Sequence, residues 1–240
     1  MKLIIRNLLW IVPSVVLILG ALTYAAFSTA RTQAEEVALV DLSATRQIAT
    51  GDLQRKLDMI AQIERQASTL MLQNLASGNA EVEPFERIFT QQADGTFRTP
   101  DALWDGALRS GGIRLSGIGG MMLGDGTDQR PQTNMRAAYG AMKAMVGGLP
   151  ASIGNLYFFT PSNDLLIWAP AREDRLLFYR RDAPPEFDFQ DEEFSTISPP
   201  SVNPSGSFRC TSLQRPAYDQ EQSRWTTGCM LPVRSDGAHI

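Results

Sequence analysis

From Leu8 to Phe27 the sequence runs for twenty residues without a charge, with Lys2 and Arg6 before the run and Arg31 as the first charge after it. A helix needs roughly 20 apolar residues to cross about 30 Å of hydrocarbon, and a charge at the bilayer centre costs several kcal/mol. The pattern predicts one membrane span over 8–27, and Pro13 near its start does not exclude a helix in lipid. The competing reading is a cleaved signal peptide, for which Ala25, Ala26, Ser28 and Ala30 offer a processing site. Against it stands length, since secretory apolar regions run roughly 7–15 residues. The positive charge ahead of the run orients the N-terminus to the cytoplasm and the rest of the chain to the opposite side.

A second periodic stretch follows. Thr32 to Ala76 contains no proline and one glycine, Gly51, and Leu53, Leu57, Ile60, Ile63, Ala67 and Leu70 recur at helical spacing. Glu64, Arg65 and Gln66 are expected on the opposite, polar face. A helix of this length is a stalk that packs on a domain of its own chain and on a partner stalk, or else an ordinary long core helix.

Beyond Ser77, Gly78 and Asn79 the periodicity breaks into shorter pieces. Pro84–Gln91 and Pro100–Arg109 are predicted helices, the second capped by Thr99 and closed by Gly111 and Gly112. Gly111 to Pro131 holds seven glycines and is expected to be an irregular surface loop. A helix over Asn134–Val146 follows. Then the period changes to two: Leu156–Thr160 and Leu165–Ala169 flank a Pro-Ser-Asn-Asp turn and predict a β-hairpin. Asp174 to Ser207 is loop-rich, and Arg209–Tyr218 with Arg224–Val233 predicts a second hairpin about 219–222. Helices first and antiparallel strands afterwards give an α+β fold.

The net charge is −4, and removing Lys2 and Arg6 leaves −6 on the remainder, which argues against a nucleic-acid partner. One histidine and two cysteines cannot build the usual zinc sites, so no metal is expected. The glycine-rich stretch lacks the Gly-Lys-Ser/Thr ending of a phosphate loop, and Asp125 and Asp128 lack EF-hand spacing. No serine or cysteine has a convincing base beside it, and the one histidine, His239, lies next to the last residue, so a catalytic triad has no support. Glu186, Asp188 and Asp191, interleaved with Phe187, Phe189 and Phe194, read either as a hydrolase carboxylate pair or as a solvated turn pinned by aromatics. Cys210 and Cys229 flank the second turn within about three residues of register, and a bulge near Pro216 would align them for a disulfide. Two buried thiols are the alternative.

The hairpins bring aromatic surface to one sheet with charge at its edges. A concave sheet with apolar walls and one or two fixed charges suits a carboxylate or zwitterion. The candidate ligand residues are Trp168, Arg172, Tyr179, Arg180, Tyr218, Asp219 and Trp225. The plain alternative is that strand aromatics are core and Asp219 starts a turn.

The stretches "IGNLYFFTPSNDLLIWAP" and "RPAYDQEQSRWTTGCMLPV", placed after an anchor and a long helix, resemble the double Cache family of PAS-like extracytoplasmic sensors in bacterial diguanylate cyclases, histidine kinases and chemoreceptors. Tyr218-Asp219 is similar to the family's tyrosine and amine-binding aspartate. The Arg-x-Trp-Tyr element of its amino-acid binders is replaced here by Phe178-Tyr179-Arg180-Arg181, which leaves the ligand open. The resemblance implies a cytoplasmic tip and anchor (1–30), a stalk (31–77), a helical and glycine-rich linker (78–152) and a Cache-like sheet (153–240) cut short at its end. It implies an inner-membrane protein with a periplasmic body, a homodimer through the stalk, no catalytic residue and no cofactor within these residues, and an output domain beyond them. A membrane-anchored assembly protein and an anchored hydrolase are the competing functions.

Overall fold

The structure is a computed structural model that describes residues 2–79, 82–107, 109–110, 113–123, 129–215, 225–235 and 238–240. The chain divides into two compact units, Met1–Asp58 and Met59–Ile240. The predicted span and stalk are one helix, α1 (Lys2–Ala76), which makes up the described part of the first unit and opens the second. No breaker lies between them. The Ser28, Thr29 and Thr32 hydroxyls are satisfied within the helix by the Ala25 and Ser28 carbonyls at 2.8–3.0 Å.

Within the first unit, Val15 to Leu19, Leu22 and Phe27 are exposed apolar side chains. The stretch is long and apolar enough to cross a membrane, and none of it is buried inside the protein. Val37, Leu39, Val40, Leu42, Ile48 and Leu53 are exposed as well, beside a solvated Arg31–Glu35 pair that contributes only a few tenths of a kcal/mol.

The second unit is an α+β fold, whose elements after α1 run α2 (Phe85–Ile88), β1 (Thr90–Gln91), β2 (Phe97–Arg98), α3 (Asp101–Asp105), β3 (Arg109–Ser110), β4 (Ile113–Arg114) and β5 (Ile118–Met122). There follow α4 (Gln129–Met145), β6 (Leu156–Phe159), β7 (Leu165–Trp168), α5 (Glu193–Thr196), β8 (Arg209–Cys210), β9 (Cys229–Met230), β10 (Arg234–Ser235) and β11 (Ala238–His239). The main sheet has the antiparallel order β1-β2-β5-β7-β6.

One face of this sheet carries Ile118, Met122, Leu156 and Leu166, which pack with Met71 of α1, with α2 and with Met135, Ala138 and Met142 of α4. The other face carries Met121, Leu165 and Ile167, covered by Leu176, Tyr179, Ala183 and Phe189 of the long connection after β7 and by Trp104. The end of α1 is fixed to α4 by Asn79, fully buried with a φ of 57°, whose side-chain amide donates to the Thr133 carbonyl at 2.8 Å. Asn74 donates to Ala137 of the same helix at 3.0 Å.

Several predicted elements are corrected. The helix expected over Pro84–Gln91 shrinks to one turn, because Thr90 and Gln91 pair with Arg98 and Phe97 as the sheet's edge. The helix expected over Pro100–Arg109 stops at Asp105, where Gly106 turns left-handed at φ 70°. Thr99 does not cap it; its hydroxyl accepts the Gly120 amide at 2.9 Å.

The largest correction is β5, buried throughout, which lies inside the stretch read as a surface loop. Its glycines serve close approach rather than disorder. A Cβ at Gly119 would stand 2.8 Å from Leu176 Cδ1 and 2.9 Å from Leu176 Cβ. Asp125 and Asp128 lie outside the described residues.

The first hairpin forms as predicted, Leu156 opposite Trp168 and Phe159 opposite Leu165. The second does not join the main sheet. β8 and β9 make their own two-stranded ladder, continued by a Gln214–Thr226 bridge, and the turn at 219–222 lies outside the described residues. Cys210 is paired with Cys229 and bonded to it, a closure over 19 residues that stabilises by about 3 kcal/mol through the unfolded chain. The register slips by one residue between that pair and Gln214–Thr226, so the extra residue sits between Thr211 and Gln214 rather than near Pro216.

Replacing Gly119 by alanine is expected to force Leu176 off the sheet and to cost about 1–3 kcal/mol, the usual penalty of an overpacked core. Urea unfolding followed by tryptophan fluorescence checks this, and a loss under about 0.5 kcal/mol rejects the close-approach account.

Candidate functional site

The sheet face turned away from α1 and α4 bears a cavity of about 120 Å³. Tyr157, Leu165 and Ile167 of β6 and β7 line its sheet side. Leu176, Tyr179 and Phe194 close it from the connection after β7, and Gln214 and Thr226 to Gly228 from the second ladder. Among the described residues, its charged lining residues are Arg172 and Glu192.

Arg172 is placed by the backbone that follows it. Arg175 and Leu176 take left-handed conformations, φ 55° and 52°, rare for side chains of this size. The bend is held by Asp174, which accepts the Leu176 amide at 3.0 Å and Arg172 Nε at 3.0 Å, with a second ion-pair contact from Arg172. Partial burial pushes the Asp174 carboxyl up, but the bonds from Arg172 and the Leu176 amide together hold it below its ordinary value. Arg172 therefore keeps its aliphatic stem and guanidinium in one place at the cavity wall.

The next turn, Phe178–Asp182, is a wide helical turn fastened to the sheet by Arg98. This guanidinium is 2% exposed and donates to the Tyr179 carbonyl at 2.9 Å, the Ala183 carbonyl at 2.6 Å and Thr96 Oγ1 at 3.0 Å. Burial pulls its pKa below the usual arginine value, and the Asp94 and Asp182 carboxylates oppose that. Arg98 was not among the sequence candidates. Its sole sequence signal is a charge at an inward position of a short strand, which spacing alone cannot separate from a solvated edge residue.

The far wall is also pinned. Glu193 accepts the Ser212 amide at 2.8 Å and its hydroxyl at 2.5 Å, which ties α5 to the second ladder and holds the Glu193 carboxyl below its ordinary value. Phe159 meets Phe189 and Phe194 edge-on at 5.9 and 5.3 Å, and Phe189 and Phe194 lie tilted against each other at 5.8 Å. Glu186, Asp188 and Asp191 are exposed and line neither this cavity nor the one on the opposite face.

Of the predicted ligand residues, the fold unites Arg172 and Tyr179, the latter buried at the cavity wall. Trp168 is a correction: strand alternation turns it to the opposite face, where it packs with the α1 and α4 core. Arg180 is another. It is buried, ion-paired with Asp101 and stacked 5.6 Å over Trp104, and faces an open polar cleft with Arg98, Arg181 and Asp94. Trp225 is no wall either; it is 59% exposed with Arg215 5.1 Å over its ring. Tyr218 and Asp219 lie outside the described residues.

No family model matches this sequence, and no curated protein or solved structure shows significant similarity to it.

Arg98→Met is expected to strand the Tyr179 and Ala183 carbonyls and to cost about 2–4 kcal/mol, and Arg98→Lys to recover little, because an ammonium cannot span both acceptors. Denaturant midpoints of the two variants check this; full recovery by lysine rejects the bidentate account.

Proposed function

We propose that the chain is the ligand-sensing part of a membrane-bound receptor of the double Cache type, anchored by the apolar stretch of α1 with its body on the periplasmic side of a bacterial inner membrane. In this reading a small carboxylate or zwitterion enters the 120 Å³ cavity, its carboxylate meets Arg172, and its body lies on Tyr157, Ile167 and Tyr179. Glu192, also on the cavity lining, meets a cationic group of the same ligand in this reading.

The observation that carries the reading is the two-sided use of one sheet. The cavity opens on one face, and the buried stripe of α1 within the second unit packs on the other. A ligand that binds one packing of the sheet better than another shifts the population of α1 arrangements, which is what a receptor needs. The output the resemblance implies is a diguanylate cyclase, with a histidine kinase second. The assembly-protein reading expects a packed interior, and the cavity favours the sensor.

We further propose that the receptor is a homodimer along α1, because Val37, Val40 and Leu42 are exposed in the first unit and dimerisation would cover them.

Thermal-shift screening of the full chain in lipid nanodiscs against amino acids, organic acids and purines is expected to find a carboxylate that raises the melting temperature. Arg172→Ala is expected to weaken that ligand at least about tenfold, the loss of one charge-assisted contact. No stabiliser, or unchanged affinity in the variant, overturns the assignment. For pairing, both native cysteines are bonded to each other, so Val40→Cys introduces a lone thiol. It is expected to give a disulfide-linked dimer in membranes, and a monomer under oxidation rejects pairing there.

A further inference from the structure

A second cavity, of about 70 Å³, lies on the other face of the sheet, within the second unit. Met71 of α1, Ala141 and Met142 of α4, Leu156 of β6 and Val233 near the C-terminus make it apolar. Into this lining comes one carboxylic acid, Glu64.

Glu64 stands half-buried on the face of α1 that turns to the cavity, one turn from Ala61 and from Ala67 and Ser68, and two turns from Met71. The polar face expected for it from the sequence is thus corrected. Among the described residues it makes no hydrogen bond or ion pair, and burial pushes its carboxyl up to about 8.

The remaining titratable groups of the lining do not compensate it. Tyr157 sends its hydroxyl to the Met230 sulfur at 2.8 Å. His239 is pushed below its ordinary value by burial and then by Arg234, so it is neutral at pH 7. Arg234 itself donates to the Asn203 and Pro204 carbonyls at 2.7 and 2.8 Å. The residues that α4 contributes, Ala138, Ala141 and Met142, carry no charge.

An apolar cavity with a half-buried, unpaired acid on its wall suits a cation that brings its own apolar surface. We infer that this cavity binds a protonated amine on a small apolar body, its ammonium paired with Glu64 and its hydrocarbon held between α1 and α4. Where Glu64 is protonated, binding releases that proton to solvent, so affinity rises with pH until the acid is ionised. The site is distinct from the Arg172 cavity, with which it shares Tyr157 as a lining residue, and its binding is read out independently of that cavity.

The test titrates the full chain in lipid nanodiscs, with its methionine methyls labelled, with n-hexylamine at about pH 6.5 and about pH 8.5; the amine stays protonated at both, like a lysine of pKa roughly 10.4. n-Hexanol is the uncharged probe. The Met71 and Met142 signals are expected to move with hexylamine, and the Met121 signal, on the opposite face, to stay in place. Affinity is expected to rise roughly 25-fold between the two pH values, as the ionised share of a carboxyl titrating at about 8 does. Glu64→Gln is expected to abolish that rise and to bring hexylamine down to the level of hexanol. Equal binding of hexanol to the unaltered chain, a flat pH profile, or unmoved Met71 and Met142 signals overturns the proposal. The pH profile and the amine–alcohol comparison are made on the unaltered chain, so a poorly folding Glu64→Gln variant does not shield it.

Discussion

Leu176 rests directly on the backbone of Gly119 in the central strand, and the second unit is organised around that contact. With no side chain at that position, the connection after β7 comes down onto the sheet. Leu176 fills the resulting depression at 2% exposure, its left-handed backbone turns the chain, and Asp174 locks the bend that sets Arg172 at the cavity wall. A Cβ on the strand would lift this connection, and with it the cavity roof. Close packing transmits such a displacement because a dense interior has no slack to absorb it.

The buried charges divide into two kinds. Arg98 and Arg180 are almost fully enclosed, yet each guanidinium is met by carbonyl oxygens, and Arg180 also by Asp101. Arg98 is compensated locally and ties the sheet to the wide turn at Phe178–Asp182, whereas Arg180 ties that turn to α3 and keeps its Nε without a partner among the described residues. Glu64, only half-buried, is of the other kind, an acid among apolar groups with no partner among the described residues. An uncompensated ionisable group is where stability is given up, and such places are where binding energy is available.

The candidate site was legible in part. Arg172 and Tyr179 reach the cavity lining because the connection after β7 folds back over the sheet face. Trp168 was misplaced by one step of a period of two, which moves a side chain to the opposite side of a sheet. Arg180 was assigned to the ligand although its partner, Asp101, is 79 positions away, a distance over which local spacing carries no information. The cysteine pair was found because hairpin symmetry relates residues on either side of a turn. The bulge that aligns it was misplaced, since a single inserted residue leaves no periodic trace.

Period and length alone identified the apolar helix, its continuation toward Ala76, the Leu156–Trp168 hairpin and the α+β class, because each is written in spacing between near neighbours. The same residues could not say that Ile118–Met122 is the central strand. Glycine codes equally for a loop and for a place where another segment must come close, and the segment that comes close to Gly119 starts more than fifty residues later. Nor could they say which side of α1 is buried at Glu64, since a helix shows its stripe only relative to what packs against it. Contacts between distant segments decided both, and those contacts exist only once the chain is folded.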